Sequence, residues 1–254
     1  MKCVILGDSI SEGIGGKKIN YCDTLYHLLQ KYNTNDTEID IRNLSLTGTT
    51  IKYPLEHIEK VMDYRPDVVI IFYGNVDAQI RPDVEKNRFY LWSMVPKRYH
   101  IGGMLNPRPF YSRKWYRWFP DRLDNIFRFL LTKIMYLTQG RCQLVILSEF
   151  AYYYDTLMSK VATMADMPKI ICCSTVYLNE KIYRGSNMEY EKYNIVIKEM
   201  AKKYNASYID LYSMLHQQVA KSGFGSVYYR DHFHPNEQGY DLIAQAICQA
   251  IIVK

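Results

Sequence analysis

The stretch from Asp67 to Tyr73 (Asp-Val-Val-Ile-Ile-Phe-Tyr) limits the fold more than any other, because five consecutive side chains in it are apolar. Successive residues of a strand point to opposite faces, so a continuous apolar run needs cover on both sides, as parallel sheets with crossover helices provide. Shorter β-rich runs stand at Val4 to Leu6, Glu38 to Asn43, Lys169 to Cys173 and Ser207 to Leu211. Between them, Tyr21 to Lys31, Tyr53 to Met62, Met188 to Tyr204 and Asn236 to Ile251 carry apolar residues at helical spacing. Ser148-Glu149 opens a further helix to about Ala165, while 143–147 fits neither pattern alone. This alternation predicts an α/β domain with a central sheet of five parallel strands and no others.

After Asp77 the alternation stops. A segment rich in Pro, Gly, Arg and aromatics runs to about Pro120, followed by a predicted helix from about Asp121 to Leu137. The expectation is a single domain, 1–254, with an insertion at about 78–138; long insertions of this kind are commonly functional. Arg81 to Lys133 holds twelve Lys/Arg against four Asp/Glu, a net of +8, whereas the whole chain nets +6. The excess therefore sits in one segment.

The densest part is Arg113-Lys114-Trp115-Tyr116-Arg117-Trp118-Phe119, preceded by Tyr90, Trp92, Lys97, Arg98, Tyr99 and Arg108. Aromatic faces stack on sugar rings and cationic groups bind carboxylates or phosphates, which makes Trp115, Arg117 and Trp118, with Asp8, candidate contacts for a glycan ester. The same composition suits an anionic membrane surface or a lipid-linked substrate met through 81–120. It also suits aromatics packed inward with charges facing water. Nucleic acid is not an expected partner, since no recognition motif accompanies the charge.

Six cysteines at 3, 22, 142, 172, 173 and 248 show neither zinc-ligand spacing nor a disulfide framework, and read as buried free thiols in a reducing cytosol. The N-terminal apolar run is too short for a signal peptide, and no run reaches the roughly 20 residues of a membrane span. The expected location is the cytoplasm, with the inner membrane face as the site of any peripheral contact. Ser11 to Lys17 lacks the spacing of a phosphate loop, and no acidic or histidine cluster has ligand spacing. No metal or cofactor is expected, and oligomeric state is open.

Gly7-Asp8-Ser9 follows the first strand directly, which places Ser9 at the carboxyl end of the sheet, where open α/β proteins hold ligands. Far away in sequence, Asp231-His232-Phe233-His234-Pro235-Asn236 precedes the last helix. A serine hydroxyl becomes a strong nucleophile when an imidazole takes its proton and a carboxylate holds the other ring nitrogen. One loop can supply both partners. Taken singly, Ser9 is more often a helix cap or turn residue, and the Asp/His turn reads better as a cap on the terminal helix.

Together, Gly-Asp-Ser near the start and Asp-x-x-His-Pro-Asn near the end resemble the blocks of the SGNH (GDSL-like) hydrolase family, in the family's order across the whole chain. The resemblance implies a flavodoxin-like three-layer α/β/α domain, Ser9 as nucleophile, and Asp231 with His234 as its activating pair. His232 lies closer to Asp231 but not at the family's histidine position. Asn43-Leu-Ser-Leu-Thr-Gly48 is similar to the second block, which implies backbone N–H donation to an oxyanion from Gly48 and from Ser9 itself.

The third block departs from the family. Where the family has Gly-x-Asn-Asp, this chain has Gly74-Asn75-Val76-Asp77, so Val76 stands in the place of the oxyanion asparagine and Asn75 is the amide next to it. Bacterial proteins that resemble this chain in having Val there often belong to surface-polysaccharide pathways, and the resemblance implies such a setting at the level of the family. The implied activity is esterase or O-acyltransferase chemistry on an ester, O-acetyl above all, of a carbohydrate. A catalytically impaired accessory protein of polysaccharide assembly and a lipid-acting esterase remain alternatives.

Overall fold

A computed structural model of the protein describes residues 1–16, 20–32, 38–83, 93, 95 and 115–252. In chain order, β1 (Lys2–Gly7), α1 (Ser9–Glu12), α2 (Tyr21–Tyr32), β2 (Asp40–Asn43), α3 (Lys52–Glu56), α4 (Ile58–Tyr64), β3 (Val68–Phe72) and α5 (Asn75–Ala78) come first. Then follow β4 (Arg81–Pro82), α6 (Trp115–Thr138), β5 (Arg141–Cys142), α7 (Leu147–Ala162), β6 (Lys169–Cys173) and α8 (Ser186–Lys203). The chain closes with β7 (Ser207–Ile209), α9 (Leu211–Ser222), a 3-10 turn at Phe224–Ser226 and α10 (Glu237–Ile252).

Five strands form one parallel sheet in the order β2-β1-β3-β6-β7. Every residue of β3 is buried, as its apolar run requires. Burial of a Val, Ile or Phe side chain is worth ~1.5–3 kcal/mol, so this one strand contributes on the order of 10 kcal/mol to folding. Tyr21 of α2 ties β3 to the C-terminal helix, its ring 6.3 Å from Phe72 and 6.2 Å from Tyr240. A second pair, α7 and α8, meets through Phe150 and Tyr193 at 4.8 Å, so that helices flank the sheet.

The strand order sets the place of any site. From β1 the chain moves outward to β2, then returns across to β3, and ligands of open α/β sheets occupy the crevice beyond the carboxyl ends at such a reversal. Register brings the relevant turns together: Ile5 pairs with Asn43 and Gly7 with Phe72. The segments after β1, β2 and β3 thus leave the sheet side by side.

Several expectations need correction. The five-stranded sheet is present, but β4 and β5 add an antiparallel pair of two residues each within and after the inserted segment. The helix expected over Tyr53 to Met62 is two helices broken at His57. The strand expected to reach Leu211 stops at Ile209, because the Asp210 carboxylate accepts the Ser213 N–H at 3.0 Å and starts α9, a helix that apolar periodicity did not announce. Helix α6 begins at Trp115, before the expected Asp121, and runs through Pro120.

Along the described part of α6 the aromatics Tyr116, Phe119 and Phe127 face outward, as do Arg122 and Lys133, so the inward-aromatic arrangement is not seen there. Arg128 is 2% exposed, whereas Leu137 is 87% exposed. All six cysteines are free; Cys142 alone is partly exposed. Among the described residues no helix is long and apolar enough to cross a membrane.

Candidate active site

Ser9 is the first residue of α1. Asp8 caps that helix, its Oδ1 accepting the Ile10 N–H at 2.9 Å. The first N–H groups of a helix have no intrahelical acceptor, and with Ile10 taken by the cap, the Ser9 N–H is left at the helix start. Gly7 is demanded by crowding: a Cβ there would lie 2.2 Å from Ser11 Oγ. The abrupt exit from β1 therefore fixes where the serine stands.

The Ser9 hydroxyl lies 2.8 Å from His234 Nε2, and His234 Nδ1 lies 2.5 Å from Asp231 Oδ2. A carboxylate only accepts. Nδ1 consequently carries the ring proton, and the free Nε2 lone pair accepts the Ser9 O–H. Asp231 Oδ1 is engaged as well, accepting the backbone N–H groups of Phe233 at 3.3 Å and His234 at 3.2 Å. All three side chains are nearly sealed from water, with Ser9 and His234 each 5% exposed and Asp231 1%.

The loop that carries the pair is tied down on several sides. Tyr183 Oη donates to the Asp231 carbonyl at 2.9 Å, and the Tyr229 N–H donates to the His234 carbonyl at 2.8 Å. Asn236 begins α10, its Oδ1 accepting the Gly239 N–H and its amide donating to the Gly225 and Tyr228 carbonyls. His232, the alternative base, points elsewhere. Its Nδ1 accepts from the Asn179 amide at 2.6 Å, its ring stacks on Phe224 at 5.0 Å, and burial holds its pKa below the ordinary imidazole value. It also takes a left-handed φ of 55°, so a side chain other than glycine bears strain at this turn.

Gly48 sits in an exposed turn with φ 77° and empty space where a Cβ would be. Its N–H has no intramolecular partner among the described residues. Glu12, not singled out from sequence, holds this turn to α1: its Oε2 accepts the Thr47 N–H at 2.7 Å and the Thr47 hydroxyl as well. The contact spans 35 residues, so no local pattern reveals it.

The third block is buried and serves the scaffold. Asn75 is fully buried; its Oδ1 accepts the Val176 N–H at 2.9 Å, its carbonyl accepts the Tyr190 hydroxyl at 2.6 Å, and its amide lies beside the Asp8 carboxyl. The Asn75 Oδ1 is thereby committed to the interior, while its Nδ2 is buried without a hydrogen-bond partner among the described residues. Asp77 receives the Ile51 and Gly74 N–H groups at 2.9 and 3.1 Å. Burial pushes Asp8 up to about 6, against the Ile10 N–H and the Asn75 amide, and pushes Asp77 up to about 7, with Asp8 adding repulsion.

Asp8, expected as a substrate contact, is fully buried and acts as a cap, because a carboxylate at that place satisfies the start of α1. Trp115, Arg117 and Trp118 lie in the first turn of α6, with their side chains outside the described residues. The glycan and membrane readings of the basic segment rest largely on 84–114, which, apart from 93 and 95, also lie outside them. Among the described residues no group of three or more His, Cys, Asp or Glu side chains could hold a metal ion.

Set beside known proteins, residues 5–242 match the profile of the GDSL-like Lipase/Acylhydrolase family. None of the curated protein sequences matches. Axe2, an acetylxylan esterase from Geobacillus stearothermophilus, is similar in fold at a TM-score of 0.64 and 16% identity, covering 100% of this chain and 94% of its own. LAE5, an alpha/beta hydrolase enzyme from the metagenome of Lake Arreo, Spain, gives 0.64 and 16%, covering 98% and 94%. Catalytic mutants of Axe2 replace a serine, an aspartate and a histidine, the last two three positions apart. At this identity the structural likeness establishes the fold.

Proposed function

Because the chain belongs to the GDSL-like lipase/acylhydrolase family, we propose that it is a serine carboxylic-ester hydrolase that removes acetyl groups from a carbohydrate, with Ser9, His234 and Asp231 as its catalytic residues. The observation that carries this reading is the unbroken chain of contacts from Ser9 Oγ through the His234 ring to Asp231. Its order and chemistry also parallel the serine, aspartate and histidine replaced in the Axe2 mutants.

Ser9 Oγ attacks the acetyl carbonyl carbon while His234 Nε2 takes its proton. Asp231, still ionised, stabilises the imidazolium that forms. The negative carbonyl oxygen of the tetrahedral intermediate faces the Ser9 and Gly48 N–H groups. Collapse breaks the bond to the sugar oxygen, which receives the proton from His234 and leaves acetyl-Ser9. Water then gives a proton to His234 and attacks the acyl group, and acetate departs as Ser9 regains its hydrogen.

The Val76 side chain supplies no hydrogen bond, so this reading rests on two backbone oxyanion donors, with the Asn75 Nδ2, buried without a partner, as the candidate third. One such donor is worth roughly a hundredfold to a thousandfold in rate, which fits a modest catalyst of a reactive acetyl ester. A sugar hydroxyl replacing water would turn the same acyl-enzyme to transfer. We place the substrate in surface-polysaccharide metabolism on the family resemblance of the Val76 variant alone, and the protein in the cytoplasm on the six free thiols.

The test is a screen of purified protein on acetylated sugars and short aryl esters, with acetate release measured with and without a sugar acceptor. Acetate release that disappears in Ser9→Ala supports hydrolysis. Acetylated acceptor formed in preference to acetate makes the protein a transferase, and folded protein inert toward every ester and toward a fluorophosphonate makes it a binding module.

A further inference from the structure

We infer that α6 docks this protein onto an anionic lipid surface through an apolar face turned away from the protein. Phe119, Leu123, Ile126, Leu130, Ile134 and Leu137 are each about half exposed or more. At 100° per residue they fall within an arc of about 80° and extend for about 27 Å along the helix. The opposite arc is turned inward and holds Arg128, Thr132 and Met135, continued by Gln139 just past the helix end, all at most 6% exposed. Polar residues inside and large apolar ones outside invert the usual surface helix, whose apolar stripe faces the core. A continuous apolar strip of this size on a soluble surface marks a place of contact.

Charge selects the occupant. Arg122 and Lys133, both exposed, border the strip on one side, and Lys133 Nζ lies 4.4 Å from the Phe129 ring on that flank. Asp124 is on the other flank, paired with Arg128 at 2.6 Å. An antiparallel second copy would set this basic border against itself. Anionic headgroups meet it with opposite charge, while the acyl region accepts the strip, as in helices that lie in the plane of a membrane. The net +8 carried from Arg81 to Lys133 adds attraction of the same sign. Apart from Phe119, the contact stands further along the chain than 81–120, and it does not depend on the esterase reading.

The full-length protein is sedimented with vesicles of phosphatidylcholine alone or mixed with phosphatidylglycerol, and its oligomeric state is measured by light scattering. The expected result is binding to the anionic vesicles, weakened by salt, with a partition coefficient at least about tenfold lower for Leu130→Glu/Ile134→Glu. Because both positions are exposed, that variant should keep the thermal unfolding midpoint of the parent. Lys133→Glu, which leaves the strip intact, should weaken binding to the anionic vesicles by a smaller factor. Wild-type protein that stays in the supernatant overturns the inference, and so does equal binding to the neutral vesicles. A dimer that Leu130→Glu/Ile134→Glu converts to monomer would assign the strip to self-association and overturn it equally.

Discussion

The two sides of the site are built differently. On the relay side, both Asp231 oxygens are engaged and the loop is fastened through Tyr183, Tyr229 and Asn236. On the proposed oxyanion side, the candidate donors are the start of a four-residue helix and an exposed glycine turn held by Glu12, with Val76 standing where the family has an amide. The first side is over-determined, the second held by few contacts. The difference implies that proton transfer fails all at once, whereas oxyanion stabilisation can be raised or lowered in steps.

The largest effect separates the two sides most sharply. Ser9→Ala or His234→Ala should each lower kcat at least about a thousandfold, since members of a relay act as a unit; steady-state kinetics on a short aryl ester measures it. Near-normal turnover in either variant would remove that residue from the mechanism. Next, Glu12→Ala frees the Gly48 turn and should lower kcat about tenfold to a hundredfold with KM little changed, short of losing a donor outright. Glu12→Gln keeps an oxygen acceptor and should recover most of that loss. A KM effect alone would make Glu12 a substrate contact instead of a positioning residue.

His232→Ala tests whether the relay side has a second base. With His232 tied to Asn179 and stacked on Phe224, its removal should cost only a few-fold in kcat, on the order of 1 kcal/mol. A loss comparable with His234→Ala would reassign the base.

The smallest effect concerns the carboxyls under the oxyanion side. Asp8 and Asp77 have folded pKa values raised above the ordinary 3.8 by burial, so the folded state binds more protons than the unfolded one between about pH 4 and pH 7. Their contribution to stability is therefore present below about pH 4 and is lost as the pH rises through 6 to 7. Asp77→Asn should make the decline of unfolding free energy across this range shallower than in the parent, as read by urea titration at a series of pH values. A steeper decline in the variant would contradict the assignment.

What could be read from the amino-acid sequence depended on how far each signal reached. Strand β6 was legible residue for residue because Lys169 to Cys173 is a short apolar run bounded by polar turns. Ser9, Asp231 and His234 were legible because their chemistry is written in compact motifs at the two ends of the chain, and the fold then brings Ser9 and His234, 225 positions apart, to a 2.8 Å contact. Glu12 was not, since its partner Thr47 lies on another strand's exit and only the register of β1 with β2 sets them together. The expected helix from Asp121 to Leu137 came with no reading of which face would turn inward; burial of Arg128 and exposure of Leu123, Leu130 and Leu137 show an apolar face turned outward. The start of α9 was hidden by Leu211, which continues the apolar pattern of β7, although Asp210 and Ser213 carry the cap.

The central claim is that one hydroxyl, on Ser9, is made nucleophilic by His234. The most direct measurement is intact mass and peptide mapping after reaction with a fluorophosphonate, on the parent, Ser9→Ala and His234→Ala. The expected result is one adduct on the parent, located on Ser9, absent from Ser9→Ala and formed at least about a hundredfold more slowly in His234→Ala. An adduct that persists on another residue in Ser9→Ala, or labelling of Ser9 at an undiminished rate without His234, would contradict it.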